Sequence, residues 1–299
     1  TDLSLSSTSD FQEKTLYNIR FSQDTFVEIL LVGGGGAGGR SERDFACGGS
    51  GGGGEVQEFA GTLRGQGLLQ VGRGGVVGKD NGDGEEGTGF ESSFAFGISQ
   101  KRSEGGSSGG SLIQSTFEKE FPLPLKSGYG GGAGAFSAAG VIVEVAPRQK
   151  PGYFHSAGSA EIRTVPMCGG GAGVAGPGTI THGGSGEKSE LFIVSTNSHP
   201  ETTVGAGAAA VSGNCDQLLP SSPGGGSRGN EVSQFEGQAS PQNDGSGWAD
   251  TGGGGMGGCT DPLLGRLPPA RGANGFVVVM WDLQYPEDSI LVTSDDQGG

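Results

Sequence analysis

The sequence predicts a mainly β and irregular fold in which short β-strands clasp a bundle of polyglycine II helices, with almost no α-helix. Three observations predict it. Gly supplies 66 of 299 residues, about three times the roughly 7 % of an average protein, while apolar residues reach only 32 %. A β-type apolar run, Phe26-Val-Glu-Ile-Leu-Leu-Val32, ends in the glycine burst Gly33–Gly36, Ala37, Gly38 and Gly39. Near the other end the order is reversed, Gly272 and Gly275 leading into Phe276-Val-Val-Val-Met-Trp281. The two junctions read as a pair of clasps on one glycine-filled body.

The opening run carries one internal charge, Glu28, and is too short and too β-rich for a helix. Leu16–Phe21 is a candidate strand before it. After the first burst, Glu55–Ala60 and Leu68–Val71 read as two short strands separated by glycine turns, and Ser92–Phe96 continues the alternation. Val141–Val145 and Leu191–Val194 are further strand candidates. Glycine in ordered structure costs about 0.5–1 kcal/mol per residue in backbone entropy, so the bursts must be offset by dense hydrogen bonding. A left-handed threefold helix of the polyproline II type has no internal hydrogen bonds and points every backbone donor and acceptor sideways. Where the side chains are hydrogens, such helices can approach closely and pair with one another. No strict Gly-X-Y period persists and Pro numbers only 14, which excludes a collagen triple helix.

The organisation read along the chain is a polar, Ser-rich attachment arm over 1–25, a glycine-rich domain over 26–283 with a loop-bearing insertion at about 111–165, and an acidic tail over 284–299. Formal charge is −15, with 18 Lys and Arg scattered without a basic cluster, which argues against nucleic-acid binding through phosphates. No stretch of 18 apolar residues exists, so no membrane insertion is expected. The opening Thr1-Asp-Leu-Ser lacks a basic region and an apolar region, so a signal peptide is expected to be absent or already removed. Cys47, Cys168, Cys215 and Cys259 lie far apart without a CxxC pair, so zinc is unsupported by spacing. Small buried thiols are favoured over two disulfides, whose pairing would have three possibilities.

Several motifs invite chemistry. Gly33-x-Gly35-x-x-Gly38 after a strand matches a dinucleotide fingerprint in form, but Arg40–Cys47 has no helical apolar period to place a helix N-terminus on pyrophosphate. No cofactor is expected. Ser50, Ser107 and Ser227 sit in Gly-x-Ser-x-Gly without a strand before and a helix after, and His155, His182 and His199 lie in loop-like sequence, so no triad is assigned and no enzyme is expected. Asp80, Asp83, Glu85 and Glu86 form an oxygen-rich loop whose spacing departs from the EF-hand, and it reads as a solvated turn. The candidate recognition residues are aromatic: Tyr129, Phe136, Tyr153, Phe154 and Trp248, each beside Gly, Ser or His in loop-like sequence.

Phe26–Gly39, Gly51-Gly-Gly-Gly-Glu-Val-Gln-Glu-Phe59, Leu68-Leu-Gln-Val-Gly-Arg-Gly-Gly75, Ser92-Ser-Phe94 and Gly272-Ala-Asn-Gly-Phe-Val-Val-Val-Met-Trp281 together resemble the glycine-rich domains of bacteriophage tail-fibre adhesins and related virion proteins. The resemblance covers about 26–97 and 250–283. It implies a sandwich of polyglycine II helices whose apical loops bind a host receptor. The expectation is therefore a non-enzymatic virion protein whose partners are a host cell-surface protein or glycan and other virion proteins, such as a trimeric fibre. The alternative is a structural virion decoration or extracellular fibre-forming protein without receptor binding.

Overall fold

The computed structural model describes residues 6–10, 14–41, 46–77, 87–109, 134–138, 141–145, 167–198, 200, 202–212, 251–261, 265–281 and 289–293. Its longest elements are β2 (Lys14–Val32) and β4 (Val56–Gly72), which pair antiparallel along their whole length; β1 (Ser6–Asp10) pairs with the first part of β2. The register shifts between Phe21 and Thr25, where Ser22, Gln23 and Asp24 face only Arg64, and Gly65 takes φ +112. That bulge needs a residue without Cβ. It lets the ribbon fold back, so that Ile19, Phe21, Leu69 and Val71 of one half pack in a single core with Val27, Ile29 and Leu31 of the other.

β5 (Ser92–Phe96) and β6 (Ser99–Ser103) extend the sheet beyond β4, while β13 (Phe276–Met280) and β14 (Ser289–Thr293) extend it beyond β2, in the order β14-β13-β2-β4-β5-β6. Phe94 stacks on Phe59 at 5.9 Å, and the Tyr17 hydroxyl donates to the Thr293 carbonyl at 2.8 Å, closing the folded ribbon on itself. The anticipated clasps are thus neighbours: Phe276 lies opposite Val32, and Met280 opposite Glu28. Two sequence expectations are corrected here. Val56–Ala60 of the first run and Leu68–Val71 belong to one strand, because Gly61, Gly65 and Gly67 are accommodated within the ladder. Leu191–Val194 lies in the helix α1 (Glu190–Thr196), because Ser189 caps its start by accepting from Phe192 N–H and left-handed Asn197 closes its end. Among the described residues no helix is long and apolar enough to cross a membrane.

From Val32 the chain enters the glycine body. Gly33, Gly36 and Gly39 donate to the carbonyls of Glu55, Gly52 and Gly49; Gly34 and Ala37 donate to Phe90 and Gly87; Gly35 and Gly38 donate to Ala273 and Ala270. Each acceptor strand is revisited every third residue, with no hydrogen bond inside the run, which is the period of a polyproline II helix. The carbonyls of the same run receive N–H groups from Gly75, from Gly106 and Gly109, and from Gly255 and Gly258. Segment 33–39 is therefore surrounded by six others: 48–55, 72–75, 87–90, 104–109, 252–258 and 270–273. Outside them, 169–173 and 205–208 continue the lattice through Ser50 to Gly169, Gly53 to Ala172 and Ala208 to Gly51.

The lattice has two ends. At the near end Ser92 Oγ, fully buried, donates to the Val32 carbonyl at 2.6 Å and accepts from Gly72 N–H at 3.1 Å, stitching both ends of the folded ribbon together. At the far end lie β3 (Ala46–Cys47), β7 (Gly134–Ala138), β8 (Val141–Val145), β11 (Cys259–Asp261) and β12 (Gly265–Leu267), in the order β12-β11-β3-β7-β8. Beside them β9 (Met167–Cys168) pairs with β10 (Val211–Ser212). The expectation of free thiols is overturned: Cys47 and Cys168 form a disulfide with Cα atoms 5.9 Å apart, and Cys259 is also disulfide-bonded. The cause is lattice geometry. Cys47 and Cys168 each precede a glycine run, and those two runs lie side by side and parallel, so the preceding residues meet.

A Cβ on Gly36 would stand 2.0 Å from the Ser107 carbonyl oxygen, whereas one on Gly61 in β4 would meet nothing within 4 Å. Gly36→Ala is expected to lower unfolding stability by more than about 3 kcal/mol, and Gly61→Ala to change it by less than about 1 kcal/mol in the stabilising direction; paired denaturant titrations read the contrast. The disulfide closes a separation of 121 residues. Cys47→Ala/Cys168→Ala should therefore lose about 4–5 kcal/mol on the chain-entropy account, measured the same way under non-reducing conditions.

Candidate functional site

Four of the aromatic candidates, Tyr129, Tyr153, Phe154 and Trp248, lie outside the described residues. Phe136 lies on β7, paired with Ala46 of β3 on one side and Val143 of β8 on the other, and so belongs to the far-end sheet. The chain leaves the described lattice at Gly109, whose N–H bonds Ala37 at the far end, and returns at Met167, opposite Ser212 on the same end. The segment bearing Tyr129, Tyr153 and Phe154 thus departs from and rejoins one pole.

The motifs weighed for chemistry are absorbed by the lattice where they are described. Gly33, Gly35 and Gly38 are enclosed, with added Cβ atoms falling about 2 Å from backbone carbonyls, and there is no following helix over 39–41 or 46–55. A pyrophosphate has no approach to them. Ser50 is fully buried; its hydroxyl donates to the Ala209 carbonyl at 2.5 Å and accepts from Gly257 N–H at 3.1 Å, so it bridges two glycine segments. Ser107 is buried, and its carbonyl accepts from Gly52. His182 is exposed in a Thr-rich turn, its Nδ1 2.7 Å from Thr181 Oγ1. Ser227, His155, His199 and the Asp80–Glu86 loop lie outside the described residues.

The structure instead shows a groove of about 610 Å³ between α1 and the outer face of β2, β4 and β13. Its position follows from strand parity. Glu28, Leu30 and Val32 project from one face of β2, and the cross-strand partners Phe276 and Val278 share that face. Phe192 of α1 packs on Phe276 with ring centroids 5.0 Å apart, within a core shared with Leu30, Val32 and Val204. The helix covers this half of the face, and beyond it the face opens. There Met280 and Ala60, both register partners of Glu28, form the floor. Leu191 and Val194 of α1 make an apolar wall, while Glu58, Glu190 and Lys188 bring charge to the lining. Glu28, the single charge in the apolar run, is the sequence trace of this opening. Glu58 and Glu190 had no such signal, because the groove exists only once α1 is seated.

Glu58 is held in place: the buried Ser189 hydroxyl donates to its Oε1 at 2.6 Å while also capping α1. Partial burial, and then the Glu58 charge, push the Glu187 carboxyl above its ordinary value of 4.5. A carboxyl raised in the folded state favours folding only while protonated, so its contribution is complete below the unfolded value and is lost as pH rises through the folded one. Glu187→Gln is accordingly expected to raise the thermal midpoint at pH 7 by up to about 2 °C and to make no difference below about pH 4. Melting curves across that range test it, and a gain independent of pH would contradict the assignment.

A family model described as a glycine-rich domain matches residues 12–282. No curated protein and no solved structure matches the chain at a significant level. The chain belongs to that glycine-rich domain family.

Proposed function

We propose that this member of the glycine-rich domain family is a non-enzymatic structural and adhesion protein of a virus particle, a phage tail-fibre or appendage protein whose exposed loops recognise the host surface. The observation that carries the reading is the common pole at which 109 and 167 lie, flanking the segment that bears Tyr129, Tyr153 and Phe154. A body whose interior is backbone packed on backbone offers few side chains for chemistry and serves as a stiff support for segments presented at one end. The Cys47–Cys168 disulfide supports a life outside a reducing cytoplasm, as a particle surface requires. The charge of −15 favours protein or glycan partners over nucleic acid. Other virion proteins, such as a trimeric fibre, are the attachment partners in this reading.

The test is binding of the fluorescently labelled chain to intact cells of a bacterial strain panel and to an array of their surface glycans. Saturable binding is expected, weakened at least about tenfold by Tyr153→Ala, Phe154→Ala or Trp248→Ala with thermal midpoints unchanged. Binding that survives all three substitutions would remove the loops from recognition. Absence of saturable binding, together with repeating copy-to-copy contacts in an assembled particle, would favour a decoration protein without a receptor.

A further inference from the structure

The geometry points to the groove beside α1 as a docking site for a basic, apolar-bearing segment of a partner protein, arginine side chains meeting its carboxylates and aliphatic side chains filling its floor. The lining sets three carboxylates, Glu28, Glu58 and Glu190, against the one ammonium of Lys188. Between them the surface is carbon: Met280 is 6 % exposed on the floor, and Val194 is left 47 % exposed on a helix that otherwise turns its apolar side to the sheet. Phe26, two residues before Glu28 on the same face of β2, is 49 % exposed and prolongs the apolar track along the strand.

Charge and shape together select the occupant. A bare cation would use the carboxylates and leave the apolar floor wet, and among the described residues no group of three side chains is placed to hold a metal ion. A purely apolar partner would bury Glu28 and Glu190 without compensation. A segment that alternates arginine with aliphatic residues satisfies both surfaces. Its guanidinium groups match the carboxylates two-pronged. Glu58 is already positioned by Ser189, so an incoming cation meets a fixed acceptor. Glu187 stands next to Glu58, whose charge adds to burial in raising its carboxyl, and a positive neighbour opposes that charge. The volume of about 610 Å³ accommodates a few side chains. A second copy of this chain is disfavoured, since two bodies each carrying −15 repel. The inference stands apart from the loop-recognition reading, because none of these residues lies on the far-end pole.

Fluorescence polarisation with the full chain tests it, using a fluorescein-labelled hexapeptide of alternating arginine and leucine and a matching peptide with glutamate in place of arginine. Saturable binding of the arginine peptide alone is expected. Glu28→Gln/Glu190→Gln should weaken it at least about tenfold, and Val194→Asp should do the same through the apolar wall. Asp24→Asn/Glu91→Gln removes the same charge from surfaces elsewhere and should change binding less than about twofold. The proposal is overturned if the arginine peptide fails to bind, if the glutamate peptide binds equally, or if the remote pair weakens binding as much as the groove pair. It is also overturned if sedimentation velocity shows the wild-type chain self-associating and the groove variants monomeric, which would make the occupant a second copy.

Discussion

Everything in this structure depends on the absence of a side chain where two backbones meet. In 33–39, an added Cβ at Gly33, Gly34, Gly35, Gly36 or Gly38 would fall between 1.9 and 2.2 Å from a carbonyl oxygen of a neighbouring segment. Those same neighbours are the hydrogen-bond partners, or the partners' neighbours, that keep the run in place. Glycine's entropic penalty, about 0.5–1 kcal/mol per residue, is of the same order as the net gain from one backbone hydrogen bond. The body is therefore stable only if nearly every donor is used, since each buried group left unpaired costs about 1–3 kcal/mol. The lattice meets that requirement through its threefold period: a central segment sends successive N–H groups to three different neighbours and receives from three more.

Such a lattice has no intrinsic ends, so the chain must supply them. At the near end the glycine runs pass directly into β2, β4 and β13, and the hydroxyl of Ser92 joins strand to strand where the two ladders meet. Asn274 does similar work: its Oδ1 accepts from Gly74 N–H at 3.0 Å, and its carbonyl accepts from Gly252. At the far end Cys47, Cys168 and Cys259 cluster with Val211, Met256, Ala270 and Leu267, so a small apolar and disulfide-bonded layer closes the body. The lattice lies between a conventional side-chain core on one side and a covalent clamp on the other.

The parts legible in the sequence were those with a local signature. The strand-into-glycine and glycine-into-strand junctions were readable because composition changes sharply at Val32 and Gly275, and their pairing as neighbouring strands follows from both being fed by lattice segments that adjoin. Ser92-Ser-Phe94 was visible as an element, although the reason for it, one hydroxyl serving two strand ends and one ring in the core, needed three dimensions. What was missed is non-local. Leu191–Val194 has strand-like residues, and only its caps, with Phe192 seated on Phe276, make it a helix. Glycines inside β4 read as turns because a ladder that tolerates them depends on a partner strand far away in sequence. The cysteine pair was hidden for the same reason, since nothing near Cys47 announces that its glycine run will lie beside the one after Cys168.

The groove follows the same logic from the opposite direction. A body built on bare backbone can present side chains only at its margins, and the margin beside α1 is where alternating residues of β2, β4 and β13 face Lys188, Glu190, Leu191 and Val194. The helix is short, from Glu190 to Thr196, because its caps are fixed by its own sequence and not by the length of the sheet beneath it. The mismatch between a seven-residue helix and a strand that extends back well beyond Glu28 leaves part of the apolar face uncovered. Glu28 tolerates its place in a β-rich run because it falls on that uncovered part, whereas Leu30, one face position further on, is fully buried in the core shared with α1. A carboxylate at position 30 would have no water to reach, so the boundary between core and groove is drawn within two residues of one strand.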